Sequence, residues 1–309
     1  MKKNILNKTH LEGFLYEHDL ELKVTGPKSK NPNTEYIAGT ISIATDDNLV
    51  NIISVAFTYV TALTKKNAPN NTFIVLKNII DGTTCSVMEH GKEKAHKLRI
   101  DSALALNEFY TERDGKEEFV SVKRNEGGFL HVVEALNPDE SARNTFECDF
   151  LLTGTRRVEA NPSKNLPEKV ILKGAVFNFT NALLPMEFSV LAPDGMDYFE
   201  SLEASPKNLV FTSIKGNQIS ASISTRKELP SAFGGVKVVE STSSYKDYVV
   251  NWAMPEPYEW DTEATLTVAE LNEAITNREL MLATKKQERE AYKAQKNAPV
   301  APTASAFNF

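Results

Sequence analysis

The chain has 309 residues, a formal net charge of -6, 41% hydrophobic residues and 25% charged ones. This is enough length for two ordinary domains with separate cores, at the composition of a globular protein. No run reaches the roughly 18 apolar residues a membrane helix needs, and the basic opening MKKNILNKTHLEGF has too few apolar residues for a signal peptide, so a cytoplasmic protein with no membrane partner is expected.

Gly13–Val24 alternates apolar and polar residues and reads as a strand. A Pro/Asn/Lys loop follows over Thr25–Thr34, then the strands Tyr36–Ala44, with Gly39 inside it, and Ile52–Val60. Lys65–Asn71 is a basic loop, and the apolar spacing over Thr72–Ile80 suits a short helix. Cys85 and Cys148 sit far apart in apolar segments and read as buried reduced thiols. Leu98–Tyr110 and Glu118–Lys123 form a hairpin around Arg113-Asp114-Gly115-Lys116, since Asp-Gly is a strong turn signal. Asn125–Gly128 reads as a further turn, Phe129–Leu136 as a strand, and Thr145–Val158 as a long apolar segment.

The polar break Asn161–Leu166 is the expected boundary. After it come Val170–Phe179 with Gly174 inside, Met186–Leu191, turn chemistry at Pro193-Asp194-Gly195, a helix over Met196–Leu202, and a returning strand Leu209–Ile219 kinked at Lys215-Gly216-Asn217. Val236–Glu240 and Tyr248–Trp252 supply closing strands. The order of Gly-bearing strand, second strand, helix and returning strand thus occurs twice, and Ile37–Ile41 aligns with Leu172–Val176 around Gly39 and Gly174. A bent, glycine-bearing strand, a helix plugging one end and further strands closing the sheet describe a small Greek-key barrel of the oligonucleotide-binding (OB) type.

Beyond Trp252 an acidic, Pro-containing connector leads to a helix over Thr265–Gln295, with Thr267 as N-cap and Glu270 completing a capping box. Its second half, KKQEREAYKAQK, is charged all round and reads as solvated. Asn297–Phe309 is rich in Pro, Ala and Ser and reads as a flexible tail whose Phe307 and Phe309 are candidate partner-docking residues.

The sequence carries no nucleophile elbow, phosphate loop or zinc spacing, which argues against an enzyme, a cofactor or a metal site. His90 and His96 have neither metal-ligand spacing nor a completing Cys or acidic cluster. Nucleic-acid binding needs cations for phosphates and aromatic faces for bases. The candidates are Phe57, Tyr59, Lys65, Lys66, Phe109, Tyr110, Arg113, Lys116, Lys123, Arg124 and Phe129 in the first half, and Arg156, Arg157, Lys173, Phe177 and Lys215 in the second. Lys28–Lys30 is a further basic loop placed for phosphate contact.

The strand YIAGTISIA, the series VILKGAVFNF, MEFSVL, DYFESL and LVFTSIKG, and the layout of barrels, helix and tail resemble single-stranded DNA-binding proteins built from OB barrels, in the style of bacteriophage or mobile-element replication proteins. The resemblance spans residues 13–255 as a pattern. It implies sequence-independent binding of single strands, DNA before RNA, in replication or recombination and without turnover. It also implies a tail that recruits a replication partner, although the residues before Phe309 lack the family's acids.

The expected architecture is therefore mostly β: a first OB-like domain over 1–160, a second over 161–255, an acidic connector and helix over 256–296, and a tail over 297–309. The helix either packs on a barrel or pairs with a second copy to give a homo-oligomer. Two rival readings stand: a phage structural or assembly β-protein, and a nucleic-acid-processing enzyme with acids or histidines converging in a cleft.

Overall fold

The computed structural model describes residues 5–161, 166–230, 236–262 and 266–297. Alternating apolar residues put Asn7–His18 (β1), Glu21–Val24 (β2), Glu35–Ala44 (β3) and Ile52–Thr61 (β4) into strands. The stretch expected as one strand over 13–24 breaks at Asp19-Leu20. Its two pieces, β1 and β2, lie along successive parts of β3 as a sharply bent first strand. The helix Asn71–Ile80 (α1) follows, capped by the Asn70 side chain and burying Leu76 and Ile79. A short helix, Val87–His90 (α2), leads to Lys97–Arg113 (β5) and Lys116–Val133 (β6). The segment Asn125–Gly128, read as a turn, instead continues β6 through a bulge, because the strand pairs with β5 on both sides of it.

Pairing closes these strands into a ring. β1 pairs with β3 and β3 with β4, β4 runs parallel to β6, β6 pairs with β5, and β5 returns to β1. With α1 between the third and fourth strands, this is the OB Greek-key barrel. Its core holds Leu15, Ile41, Val55, Phe57, Leu76 and Ile100.

The second ring repeats the first. Asn144–Val158 (β7) pairs with Lys169–Phe177 (β8), and β8 with Leu183–Val190 (β9). The helix Pro193–Ser201 (α3), with Pro193 inside its first turn, seats Met196 and Phe199 in the core. Val210–Pro230 (β10) pairs with β7 and with Val236–Ala253 (β11), and β11 runs parallel to β9. Thr145–Val158, placed in the first unit by sequence, therefore opens the second barrel, and the polar break at 161–166 falls between that barrel's first two strands. The rings of Phe146, Phe150, Phe188 and Tyr248 fill its centre at centroid spacings of 5.1–6.1 Å.

The aligned glycines occupy the second strand of each ring. At Gly174 the Leu151 carbonyl passes so close that an added Cβ would lie 2.0 Å from its oxygen, and Gly39 combines similar crowding with a φ of +136°. The first strands of the two rings also pair, antiparallel, from Asn7↔Cys148 to Leu11↔Asn144. Both barrels thus belong to one continuous sheet. A buried amide pair ties them again: Asn125 Nδ2 donates to Gln218 Oε1 (2.8 Å) and Gln218 Nε2 to Asn125 Oδ1 (3.0 Å).

Val268–Asn297 (α4) begins with the expected capping box: the Thr267 amide donates to Glu270 Oε2 (2.9 Å) and the Glu270 amide to Thr267 Oγ1 (3.1 Å). Leu271 and Ala274 pack with Phe177 and Phe211 on the second barrel. The distal half, expected to be solvated, is largely exposed, and its Lys285, Arg289 and Lys293 also hold acids of the β5–β6 hairpin. The tail with Phe307 and Phe309 lies outside the described residues. Cys85 and Cys148 are free thiols, half-buried and buried respectively. Among the described residues no helix is long and apolar enough to cross a membrane.

Candidate nucleic-acid interface

In OB barrels the face of the second and third strands, with the loops beside it, binds oligonucleotides. On the first barrel that face carries Tyr36 of β3 and Tyr59 of β4, their ring centroids 4.7 Å apart and their planes inclined at 39°. Simple alternation would put Tyr59 on the side of Phe57, two residues away. The register shows why it does not. Ile37 faces Val60 and Gly39 faces Phe57, so β4 carries an extra residue between these pairs. This bulge leaves Phe57 in the core at 1% exposure and turns Tyr59 outward at 47%.

Two loops flank the tyrosines. The β2–β3 turn, pinned by Thr25 N→Thr34 O at 3.0 Å, exposes Lys28 and Lys30. The loop after β4 starts beside Tyr36, which pairs with Thr61, and exposes Lys65 and Lys66. It is held by Thr64 N→Ala68 O (2.8 Å) and Asn70 N→Ala62 O (2.9 Å). None of these four lysines makes an ion pair among the described residues. Lys23, opposite Tyr36, is paired with Glu21 at 2.9 Å. The result is a half-buried Tyr36 against an exposed Tyr59, between two cation-bearing loops, which suits stacking of bases and neutralisation of phosphates.

The β5–β6 hairpin is the loop between the fourth and fifth strands. Asp114 and Gly115 turn it with positive φ values of 53° and 72°. Arg113 and Lys116 flank the turn and are exposed. Tyr110 and Phe119 are cross-strand partners with ring centroids 5.1 Å apart, and Phe109 is exposed on the opposite face. Glu108 is nearly enclosed by Arg278 and Lys285 of α4. Burial alone would raise its carboxyl, but the two cations outweigh burial and hold it below the usual value.

Several expected contact residues are occupied elsewhere. Phe57 and Phe177 are core, the latter because β8 turns that face toward Phe211 and α4. Lys123 reaches across to the second barrel, donating to the Glu187 carbonyl (2.6 Å) and lying 4.6 Å from the centroid of Tyr248. Burial there pushes its ammonium below the ordinary value. Arg124 is bonded to Glu126 at 2.7 Å, and Arg157 to Glu168 and Glu200 at 2.7 Å each. Lys215 pairs with Glu147 at 2.8 Å and lies 5.1 Å from the centroid of Trp252. Arg156 and Lys173 are exposed, and Phe129 stands out at 71% exposure.

Two further aromatics lie beside these candidates. Tyr36 needed the β3–β4 register, which a hairpin alignment of the two strands could have supplied. Trp252 was read only as part of a closing strand, yet it is 45% exposed at the end of β11 beside Lys215, Asn217 and Asn251, in an open depression of about 670 Å³. Among the described residues no group of three His, Cys, Asp or Glu side chains is arranged to hold a metal ion.

The family described as YorF matches residues 6–288, nearly the whole chain, and the chain belongs to that family. No curated protein matches the sequence. Among solved structures, a deletion mutant of the single-stranded DNA-binding protein from Thermus aquaticus is similar at 11% identity and a TM-score of 0.47, over 84% of this chain and 98% of that one. A hyperthermostable urate oxidase mutant from Bacillus sp. TB-90 is similar at 8% identity and a TM-score of 0.15, over 80% of this chain and 97% of that one.

Proposed function

We propose that this YorF-family chain is a non-catalytic protein of the cytoplasm that binds single-stranded DNA without sequence preference, in replication or recombination of the kind bacteriophages and mobile elements carry out. The observation that carries the reading is the Tyr36–Tyr59 pair on the oligonucleotide-binding face of a closed OB barrel, between loops bearing Lys28, Lys30, Lys65 and Lys66. The lysines exchange counterions for phosphates, and Tyr59 stacks a base at a cost to alanine of about 1–3 kcal/mol. Arg113 and Lys116 extend the cationic path along the hairpin, and Trp252 offers a stacking surface on the second barrel. The overall negative charge does not oppose this, because binding depends on the local field.

Fluorescence anisotropy with labelled oligothymidylate, a mixed-sequence strand and a duplex tests the reading. Both single strands bind alike and more tightly than the duplex, and Tyr59→Ala weakens them by about tenfold or more. Absence of single-strand binding at low salt refutes it and leaves a structural or assembly protein as the reading.

A further inference from the structure

Helix α4 is 30 residues long, far more than burying Leu271 and Ala274 on the second barrel requires. Its inward positions nevertheless continue to the far end. Leu271, Ala274, Arg278, Leu282, Lys285 and Arg289 are all buried or half-buried at spacings of three and four, which is one helix face. Beyond Ala274 that face turns cationic and meets two carboxylates of the β5–β6 hairpin. Arg278 and Lys285 hold Glu108, and Arg289 and Lys293 hold Glu117 at 2.8 Å each.

The hairpin register shows what lies between these anchors. The pairs Glu108↔Ser121, Tyr110↔Phe119 and Glu112↔Glu117 follow one another without a bulge. Side chains two apart share a face, so Tyr110 and Phe119 sit on the helix side, between Glu108 and Glu117. Both are half-buried, whereas Phe109 on the other face is exposed.

We propose that the distal half of α4 is a latch: in the free protein it covers the Tyr110–Phe119 pair, and a single strand seated on the first barrel displaces it to stack on those rings. This rests on the single-strand-binding reading above and names a regulation of that surface. The two anchors differ in a way that suits a hinge and a catch. Glu108 and Arg278 keep only 5% and 12% of their side chains exposed, so their contact is a fixed point. Glu117, Arg289 and Lys293 keep 30–45%, and exposed pairs of this kind are weak and salt-screened. Phosphates compete for the same cations, so an arriving strand replaces the Glu117 carboxylate rather than leaving Arg289 and Lys293 unpaired.

Two full-length variants separate this from a simple charge effect. Glu117→Gln opens the catch, while Glu112→Gln removes the same charge from the facing position, which pairs with no α4 side chain among the described residues. Hydrogen exchange of residues 286–297 in the free protein quickens in Glu117→Gln and not in Glu112→Gln. Oligothymidylate binds Glu117→Gln about three- to tenfold more tightly than Glu112→Gln, the range expected for releasing two exposed ion pairs. Adding Tyr110→Ala to Glu117→Gln removes that gain. Unchanged exchange in Glu117→Gln, or equal affinities of the two variants while wild type binds, overturns the latch alone. Faster exchange with no oligonucleotide binding by any form overturns the binding reading and, with it, the latch as its regulator.

Discussion

Removing Lys65 and Lys66 together gives a quantitative test of the first-barrel face. For single strands, the logarithm of affinity falls with the logarithm of salt at a slope of about 0.7 per neutralised phosphate. If Lys28, Lys30, Lys65 and Lys66 each engage one phosphate, they account for a slope of about -2.8, a loss of roughly 600-fold per tenfold rise in salt. Lys65→Ala/Lys66→Ala lowers this share to about -1.4, or roughly 25-fold over the same range. The lysines stand in an exposed loop pinned by its own backbone bonds, so fold stability should stay within about 0.5 kcal/mol. The measurement is anisotropy of labelled oligothymidylate across a sodium chloride series, with thermal melting alongside. Lys94→Ala is the control. It precedes β5, whose Lys97 pairs with Phe14, and Phe14 pairs with Ala44 at the end of β3 remote from Tyr36. A double variant with the wild-type slope, or a control that flattens the slope as much per charge, refutes the assignment of this face.

Trp252 and Trp260 are the only tryptophans, so Trp260→Phe leaves Trp252 as the single reporter, and its emission should be quenched by oligothymidylate. Unchanged emission at saturation removes the second barrel's Trp252 from the path. The folded Glu108 carboxyl is depressed, so its pairing with Arg278 stabilises the fold fully above the unfolded value near 4.5 and is lost as pH falls through the folded value. Glu108→Gln therefore costs about 3 kcal/mol at neutral pH in urea unfolding and much less at pH 3, and a pH-independent cost contradicts this. Gly174→Ala places a Cβ 2.0 Å from the Leu151 oxygen and should cost about 2–4 kcal/mol, while Gly26→Ala, which meets nothing within 4 Å, should be close to neutral in the same thermal melts.

The repeated barrel was legible because its marks are local. Gly39 and Gly174, each in a β-branched strand followed by a second strand and a short helix, recur in the same order, and the structure places both glycines on second strands. The boundary was not legible, since a polar Pro-containing connection between two strands of one barrel looks the same as a linker. The candidate site was legible in part. Tyr59, Lys65 and Lys66 are exposed, as a ligand contact requires, but Phe57 was indistinguishable from Tyr59 without the β4 bulge, and Phe177 without knowledge of what packs beside β8. Lys123 was read as a surface cation because nothing local tells that Tyr248, far along the chain, lies within 4.6 Å of it.

Composition and periodicity alone determined a mostly β chain with two glycine-kinked modules and a capped C-terminal helix, since alternation, turn residues and caps act over a few neighbours. Tertiary structure decided which side chains remain free. The pairing of β1 with β7, the Asn125–Gln218 amide exchange and the grip of α4 on Glu108 and Glu117 all join residues 90 or more positions apart. A cation or ring is available to a ligand only if such a distant partner has not already claimed it, and sequence spacing does not encode that.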